Sequence, residues 1–283
     1  MKVLITGAAG RIGRTLALGL RSDFHLRLAD INSWENTAGG ELVTCNVTDL
    51  ASVRAAMSGI EAVIHLAGHP NSRDWEVLQP LNIGGMLNVL RAAAEAGVRR
   101  VLYASSIHVC GLHPAMTPLS DRLPIRPDSP YGLSKAVGET MLAYFAERWS
   151  MTGVAMRICS FRPTPTNARE LATWISPADM VRLVEAGLTT SATGYHAIWG
   201  VSANSRARVE DASWTRLGYK PQDDAETHAS RLAEEGVDTK RVSEWPLLGG
   251  AFADDFAGHS GALQGNGMPS AVIEPGGDDE QPS

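Results

Sequence analysis

Two side chains that can exchange protons stand four residues apart in the segment Tyr131-Gly-Leu-Ser-Lys135. At that spacing both lie on one face of a helix, within its first turns. A free tyrosine, with a pKa of roughly 10, is a poor base at neutral pH, but a nearby ammonium stabilises the phenolate and lowers its pKa. Ser105 and Ser106 precede the pair, and a serine hydroxyl there can hold a substrate oxygen beside the phenol. These residues predict proton transfer to or from a hydroxyl group.

A glycine cluster at the start of the chain predicts a dinucleotide site. Glycine permits backbone torsions that a Cβ forbids, lets N–H groups approach a pyrophosphate, and lets a helix pack close to its strand. The helix that follows would face the phosphates with its partial positive charge. The residues expected at this site are Gly7, Gly10, Arg11, Ile12 and Gly13.

Asp30 follows the second predicted strand, where a carboxylate can accept hydrogen bonds from the adenosine ribose. A carboxylate there would repel a 2′-phosphate, so the expected cofactor is NAD rather than NADP. Ligands sit at the carboxyl ends of parallel strands, which predicts further cofactor contacts after the third and fourth strands. These are Asn46, Val47 and Asp49 near the adenine, and Leu66, Ala67 and Gly68 under the nicotinamide ribose.

The elements that must position these groups alternate between short apolar runs and helical patterns. Strands are predicted at Lys2–Thr6, His25–Ala29, Leu42–Cys45, Ala62–Leu66, Val101–Ser105, Thr152–Ile158 and Tyr195–Val201. Helices are predicted at Arg11–Arg21, Leu50–Met57, Trp75–Ala96, Tyr131–Trp149 and Pro177–Ala186. The alternation implies right-handed βαβ units, and therefore an α/β fold: a Rossmann-like, doubly wound parallel sheet.

The periodic pattern loosens after residue 160, which indicates a division of the chain. We expect an NAD-binding Rossmann domain over 1–160 and a small C-terminal substrate lobe packed on it over 161–256. Residues 257–283 are rich in Gly, Pro, Ser, Asp and Glu with few apolar anchors, so this tail is predicted to be disordered.

Composition excludes several classes of function. The net charge is −6 and no run of Lys or Arg occurs, so neither nucleic acid nor an anionic membrane is an expected partner. Cys45, Cys110 and Cys159 have neither metal-ligand nor disulfide-framework spacing. No apolar stretch has the length of a signal peptide or a membrane span. We therefore expect a cytoplasmic protein without a metal site.

Four of these segments resemble the extended short-chain dehydrogenase/reductase superfamily in order and spacing. They are Gly7-Ala-Ala-Gly-Arg-Ile-Gly13, His65-Leu-Ala-Gly68, Ser105-Ser106 and Tyr131–Lys135. The resemblance covers about residues 1–160 and implies that Ser106, Tyr131 and Lys135 are catalytic. It also implies that Asn82, Tyr131, Lys135 and Ile158 contact the cofactor. Dehydratases of this superfamily carry an acidic pair where this chain has Ile107 and His108, so dehydration is disfavoured.

A closer resemblance, to uronate dehydrogenases, reaches roughly residue 256. The similar segments include Arg157-Ile-Cys-Ser160, Arg169-Glu-Leu-Ala-Thr-Trp174, Trp199-Gly-Val-Ser-Ala-Asn204 and Gly249-Gly-Ala-Phe252. This family oxidises the hemiacetal carbon of a sugar acid to a lactone, which implies that Arg169 grips a carboxylate bidentately. The implied substrate contacts are Ser106, His108, Tyr131, Ser160 and Arg169.

Two departures from that pattern mean that the substrate can differ from the sugar acids that this family oxidises. Ile107 replaces an asparagine, and Pro70 stands where a serine is expected, so both changes would remove hydrogen-bonding groups from the sugar pocket. An NAD-retaining sugar epimerase, or a dehydrogenase of another small hydroxyl substrate, remains an alternative. A non-catalytic NAD-binding regulator is a third possibility, against which the intact Ser106, Tyr131 and Lys135 argue. A homo-oligomer paired through the two long helices is expected.

Overall fold

The computed structural model describes residues 1–34, 38–70 and 74–253. Within those ranges the main sheet has seven strands in the order β3-β2-β1-β4-β5-β6-β9, and every neighbouring pair is parallel. A separate pair, β7 and β8, forms a small second sheet. The strands are β1 (Lys2–Thr6), β2 (His25–Asp30), β3 (Glu41–Thr44), β4 (Ala62–His65), β5 (Arg100–Ser106), β6 (Thr152–Ile158), β7 (Ser160–Phe161), β8 (Trp174–Ile175) and β9 (Gly194–Gly200). The predicted Rossmann-like parallel sheet is confirmed.

Helices connect these strands and cover the sheet. They are α1 (Arg11–Gly19), α2 (Leu50–Ala56), α3 (Trp75–Leu78), α4 (Gly85–Glu95), α5 (Pro130–Arg148), α6 (Glu170–Thr173), α7 (Pro177–Thr189), α8 (Ala212–Leu217) and α9 (Ala229–Glu234). A π-helical turn spans Gln79–Gly84, and 3₁₀ turns span Ile107–Cys110 and Ala225–His228.

The sheet separates two apolar cores, as a doubly wound fold requires. One core contains Leu16 and Leu20 of the α1 region together with Leu183 of α7. The other contains Val53 of α2, Leu90 of α4 and Leu142 of α5. The central strands β4 and β6 are buried along their whole length, because helices cover both of their faces.

Side-chain caps fix where the helices begin. The Asp49 carboxylate accepts from the N–H of Ala51 at the start of α2. Ser129 accepts from Gly132 at the start of α5, where Pro130 occupies a position whose N–H has no partner within the helix. The Ser129 cap therefore sets the register of the helix that carries Tyr131 and Lys135.

The long helix predicted at Trp75–Ala96 is interrupted. Between α3 and α4 the π-helical turn Gln79–Gly84 carries the chain past Asn82, whose side chain is buried. The expected stop at Gly97 agrees with the structure, because α4 ends at Glu95 and Gly97 has a φ of 70°. Apolar periodicity does not distinguish an α-helical turn from a π-helical one, so the sequence indicated only a continuous helix.

Residues assigned to the predicted lobe contribute to the main sheet. Strand β9 pairs with β6 along seven residues, from Thr152 opposite Gly194 to Ile158 opposite Gly200. Helix α7 packs beside α1 in the same core. The division into a domain over 1–160 and a lobe over 161–256 stays a prediction, and the predicted tail over 257–283 lies outside the described residues.

Candidate active site

The glycine turn after β1 is packed so tightly that side chains would not fit. Gly7 has a φ of 72°, and a Cβ on it would lie 2.7 Å from the Ala67 nitrogen. A Cβ on Gly13 would lie 2.5 Å from the carbonyl oxygen of Gly7. The turn therefore brings bare backbone and the N-terminus of α1 to the carboxyl edge of the sheet, where a pyrophosphate can be bound.

Asp30, the last residue of β2, lies beside this turn. Its Oδ2 accepts a hydrogen bond from the N–H of Ala9 at 2.9 Å, and its Oδ1 accepts one from Asn32 at 2.9 Å. Each carboxylate oxygen keeps a further lone pair. The glycine turn and this acidic group together fit the phosphates and the adenosine ribose of a dinucleotide.

A cavity of about 580 Å³ runs along the carboxyl ends of the strands from β1 to β6. Most residues that the sequence predicted as cofactor contacts line it: Gly7, Gly10, Arg11, Ile12, Gly13, Asp30, Asn46, Val47, Leu66, Ala67, Gly68, Tyr131, Lys135 and Ile158. Of the predicted substrate contacts, Ser106, His108 and Tyr131 line the same cavity. One wall thus carries both the proposed cofactor groups and the proposed acid–base groups.

Asn82 lies behind the cavity wall and braces it. Its Oδ1 accepts from the N–H of His69 at 2.8 Å, and its Nδ2 donates to His69 O at 3.2 Å and to Ser134 Oγ at 3.0 Å. Gly68, with a φ of 153°, passes directly over this amide. Asn82 therefore links the loop after β4 to helix α5.

Ser106 and not Ser105 faces the reactive part of the cavity. The Ser105 hydroxyl donates to Glu139 Oε1 at 2.5 Å, and Glu139 is itself held by the buried guanidinium of Arg157. Ser106 lies next to Tyr131, and its hydroxyl accepts from the N–H of His108 at 3.3 Å. Of the two serines, Ser106 is the one placed to hold a substrate oxygen.

Burial controls the ionisation of Tyr131 and Lys135. It raises the pKa of Tyr131 to about 12, although the Ser106 hydroxyl opposes the shift. It lowers the pKa of Lys135 to about 8. The Lys135 ammonium lies 5.7 Å from the centre of the Tyr131 ring and 4.9 Å from that of Tyr103. Burial is the main cause of the raised pKa of Tyr131, and the negative charge of Asp128 adds to it.

His108 stands at the edge of the cavity with a buried carboxylate behind it. Its Nδ1 lies 2.7 Å from Asp128 Oδ2, and its ring lies 5.8 Å from that of Tyr131 and 4.8 Å from that of Phe252. Pro70 lines the cavity, as the sequence analysis assumed. Ile107 differs from that assumption, because it is buried in an apolar cluster with Val109, Cys110, Val201 and Leu248. The isoleucine at position 107 therefore packs in that apolar cluster and does not line the cavity.

Arg169 and Ser160 form a second polar group beyond the cavity wall. The guanidinium donates to Leu248 O and, through Nη1, to Ser160 Oγ at 3.3 Å. Burial lowers the pKa of Arg169. Among the residues that the structure describes, no carboxylate lies within 4.0 Å of the guanidinium. Arg162 differs from Arg169 in this respect, because it is an exposed arginine that pairs with Glu170 at 2.6 Å.

Sequence reasoning missed three groups that support this site. Asp128 and Leu248 orient His108 and Arg169, and Phe252 packs on His108 and Tyr131. Phe252 stands in one of the segments that carried the resemblance, but no periodicity there predicted a contact with helix α5. These contacts join parts of the chain more than a hundred residues apart, or lie in irregular backbone.

Two kinds of feature are absent from the ranges that the structure describes. No helix there is both long and apolar enough to cross a bilayer. No three His, Cys, Asp or Glu side chains in the same ranges gather where a metal ion would bind.

Comparison with known proteins places this arrangement in context. The profile of the NAD dependent epimerase/dehydratase family matches residues 3–182. A uronate dehydrogenase of Pseudomonas putida is 35% identical over 255 residues, which cover 89% of this chain and 95% of that protein. The crystal structure of uronate dehydrogenase from Agrobacterium tumefaciens superposes with a TM-score of 0.84 at 33% identity, covering 89% of this chain and 96% of that one. A mutant of the same enzyme complexed with NAD superposes equally well, with 33% identity and coverage of 89% and 97%.

Proposed function

Because the chain belongs to the NAD-dependent epimerase/dehydratase family, we propose that it is an NAD-dependent dehydrogenase that oxidises the anomeric carbon of a uronic acid to a lactone. The observation that carries this proposal is the partly buried Arg169, whose guanidinium donates to Leu248 O and Ser160 Oγ and has no carboxylate within 4.0 Å in the described chain. A partly buried cation that contacts no carboxylate favours an anionic ligand. The similarity to uronate dehydrogenases over 89% of the chain supports the same substrate class.

The proposed cofactor contacts follow the cavity wall. The glycine turn and the N-terminus of α1 hold the pyrophosphate, and Asp30 binds the adenosine ribose. Asn46 and Val47 lie at the adenine end, and Leu66, Ala67, Gly68 and Ile158 at the nicotinamide end. Lys135 binds the nicotinamide ribose, while Asn82 shapes the wall through His69 and Ser134. NAD, when bound, would supply a positively charged hydride acceptor at the nicotinamide end of this wall.

The reaction depends on a proton moving to Tyr131. Ser106 Oγ donates to the anomeric oxygen, and Tyr131 Oη takes the proton of that hydroxyl as the carbon is oxidised. Lys135 is four residues along the same helix and its ammonium favours the phenolate. Burial disfavours the phenolate in the free protein, because it raises the pKa of Tyr131.

Substrate orientation comes from groups outside the acid–base trio. Arg169 and Ser160 hold the sugar carboxylate, and His108 contacts a ring hydroxyl. Hydrogen bonds to a charged group contribute about 1.5–3 kcal/mol each, so the carboxylate is expected to favour acids over neutral sugars by roughly 10- to 100-fold. Pro70 on the cavity wall offers no side-chain hydrogen bond to a sugar hydroxyl.

The test is to incubate the purified protein with NAD and a panel of D-glucuronate, D-galacturonate, D-glucose and D-galactose. We expect reduced nicotinamide to form in proportion to sugar consumed, with at least one acid preferred over its neutral counterpart. Interconversion of sugars without net NAD reduction would identify an epimerase instead. Binding of NAD with no conversion of any sugar would support a regulator.

The proposal includes a cytoplasmic role in carbohydrate metabolism and a homo-oligomer. The cysteines Cys45, Cys110 and Cys159 are free thiols, as is usual in reducing compartments. Helices α4 and α5 expose the large apolar side chains Leu87, Leu133 and Tyr144, and Trp149, the residue after α5, is exposed as well. A pair of protomers that packs these helices together would bury them, and light scattering coupled to gel filtration measures the oligomeric state.

A further inference from the structure

Asp128 is a buried carboxylate to which the proposed reaction gives no role. Its side chain is 0% exposed. Oδ2 lies 2.7 Å from His108 Nδ1, and Oδ1 accepts a hydrogen bond from the Ser129 hydroxyl at 2.7 Å. A buried carboxylate is costly unless hydrogen bonds satisfy its oxygens, and here His108 supplies one of them. Of this pair, His108 lines the cavity together with Tyr131, and Asp128 lies behind it.

Three glycines hold the Asp128 carboxylate in place. A Cβ on Gly111 or on Gly249 would overlap Oδ2, and a Cβ on Gly132 would lie 3.1 Å from Oδ1. Gly111 follows the 3₁₀ turn after β5, Gly132 stands in the first turn of α5, and Gly249 belongs to the C-terminal segment of the described chain. Backbone from three separate parts of the fold therefore packs on one carboxylate, which leaves it a single position.

The fixed carboxylate determines which nitrogen of His108 carries a proton. A carboxylate accepts hydrogen bonds, so Nδ1 of the imidazole must carry the proton and donate to Oδ2. In the neutral ring Nε2 is then bare and acts as an acceptor. Nε2 is separated from Nδ1 by one ring carbon, so its lone pair points away from Asp128. Because His108 lines the cavity, this acceptor is available to a ligand there.

The other polar groups of the site bind the oxidised oxygen and the carboxylate of the sugar, so the remaining ring hydroxyls have no assigned partner except His108. Ser106 and Tyr131 act on the oxygen that is oxidised, and Arg169 acts on the carboxylate. The His108 ring lies 5.8 Å from that of Tyr131, and Phe252 packs on it at 4.8 Å, so it is held beside the reacting atoms. Nε2 of His108 can therefore accept a hydrogen bond from a sugar hydroxyl that neighbours the oxidised one.

We propose that Asp128 is a positioning residue for the oxidation: wedged between Gly111, Gly132 and Gly249, it directs the bare Nε2 of His108 to accept a hydrogen bond from a sugar hydroxyl other than the one oxidised. This proposal rests on the proposed function. It adds a specificity-determining pair to the site, because a sugar that lacks the hydroxyl, or presents it on the other face, forfeits that bond.

The first test is Asp128→Asn, which preserves size but places an amide against His108. The amide nitrogen can donate to Nδ1, which puts the proton on Nε2 and removes the acceptor. We expect kcat/KM for the best sugar acid to fall by roughly 10- to 100-fold, as for other groups that orient a functional histidine, with the Kd for NAD unchanged. Asp211→Asn is the matched control, because Asp211 is also buried and accepts backbone hydrogen bonds outside the cavity.

Two readouts separate positioning from general support of the fold. Among the monodeoxy analogues of the substrate, one should be oxidised equally well by wild type and Asp128→Asn, because it lacks the hydroxyl that Nε2 accepts from. In a His108→Ala background, Asp128→Asn should cause no further loss, because the residue acts through His108. Independent structural effects would instead multiply.

Gly249→Ala provides a second route if Asp128→Asn does not fold. It retains the acid but pushes a methyl group against Oδ2, and the same loss and the same insensitive deoxy analogue are expected. Equal losses for every deoxy analogue, or losses that multiply with His108→Ala, would overturn the proposal. An active wild type with an unchanged Asp128→Asn variant would do the same, whereas an inactive wild type on all sugar acids would overturn the proposed function itself.

Discussion

The guanidinium of Arg169 is forked onto the carbonyl oxygen of Leu248, with Nε at 3.1 Å and Nη2 at 2.7 Å from it. Leu248 is fixed in turn, because its N–H donates to the carbonyl of His113 at 2.7 Å. The residue next to it, Gly249, packs on the Asp128 carboxylate. One short stretch of backbone therefore orients both the arginine and, through Asp128, the histidine. Their spacing is set before any substrate arrives, which lowers the ordering cost of binding.

Arg169→Lys keeps a positive charge but loses the planar fork, so it should reduce recognition of the carboxylate. We expect kcat/KM for the sugar acid to fall by roughly 10- to 100-fold, and the weaker oxidation of the matching neutral sugar to change little. Steady-state kinetics on both sugars measure this. Arg162→Lys is the control, since that arginine pairs with Glu170. An equal loss on both sugars would show that Arg169 does not bind the carboxylate.

Tyr131→Phe removes the proposed base and keeps the ring. NAD reduction should fall by at least about 10²-fold, while NAD binding, followed by protein fluorescence, stays within a few-fold of wild type. Tyr144→Phe is the control, because Tyr144 is 60% exposed on the outer face of α5. Normal turnover by the Tyr131 variant would refute the assignment of the base.

Asp30→Asn removes the charge at the ribose site and leaves an oxygen for the N–H groups of Ala9 or Asn32. The carboxylate repels a 2′-phosphate, so the ratio of kcat/KM for NADP to that for NAD should rise by roughly tenfold. Kinetics with both cofactors measure the ratio. Asp23→Asn, in the turn before β2, should leave it unchanged. No change in the Asp30 variant would mean that another group selects the cofactor.

Lys135→Met should abolish activity and yet stabilise the protein at neutral pH. Burial lowers the pKa of Lys135 from 10.5 to about 8, so folding opposes its charge. A base with a lowered folded pKa binds fewer protons when folded, so wild-type stability rises with pH between those two values. The variant's advantage should thus be largest below about pH 8, at up to roughly 3 kcal/mol, and disappear above about pH 10.5.

Urea denaturation of wild type and the Lys135 variant at several pH values measures this difference in the free energy of unfolding. Lys220→Met, at an exposed position, is the control and should show no such pH dependence. A Lys135 variant that is less stable than wild type at neutral pH would indicate that the buried ammonium is stabilised in the fold after all.

The sequence predicted the parts of the fold and site whose cause is local. Lys2–Thr6 and Thr152–Ile158 have the predicted bounds, because both strands are buried apolar runs that end at turns. The glycine turn and the pair Tyr131 and Lys135 meet in one cavity because the parallel strands β1 and β5, which precede them, end at the same edge of the sheet. Their roles in binding and catalysis stay predictions.

What the sequence did not predict depends on contacts between distant segments. The apolar period of the helix before Gly97 does not reveal the π-helical turn that turns Asn82 toward Ser134. The position of Ile107 in an apolar cluster depends on Val201 and Leu248, far along the chain. No pattern near Asp128 indicates that Gly249 lies against it. Such contacts require the completed fold.

The positions of the strands along the chain also set the order in which the parts of the site are synthesised. Parallel partners need a crossover connection between them, and here the sheet extends outward from β1, first through β2 to β3 and then in the opposite direction through β4, β5, β6 and β9. The cavity wall, from Gly7 to Phe161, has been synthesised well before Leu248 and Gly249 leave the ribosome. A nascent chain therefore contains every residue that lines the cavity before it contains the carbonyl and the glycine that pack on Arg169 and Asp128.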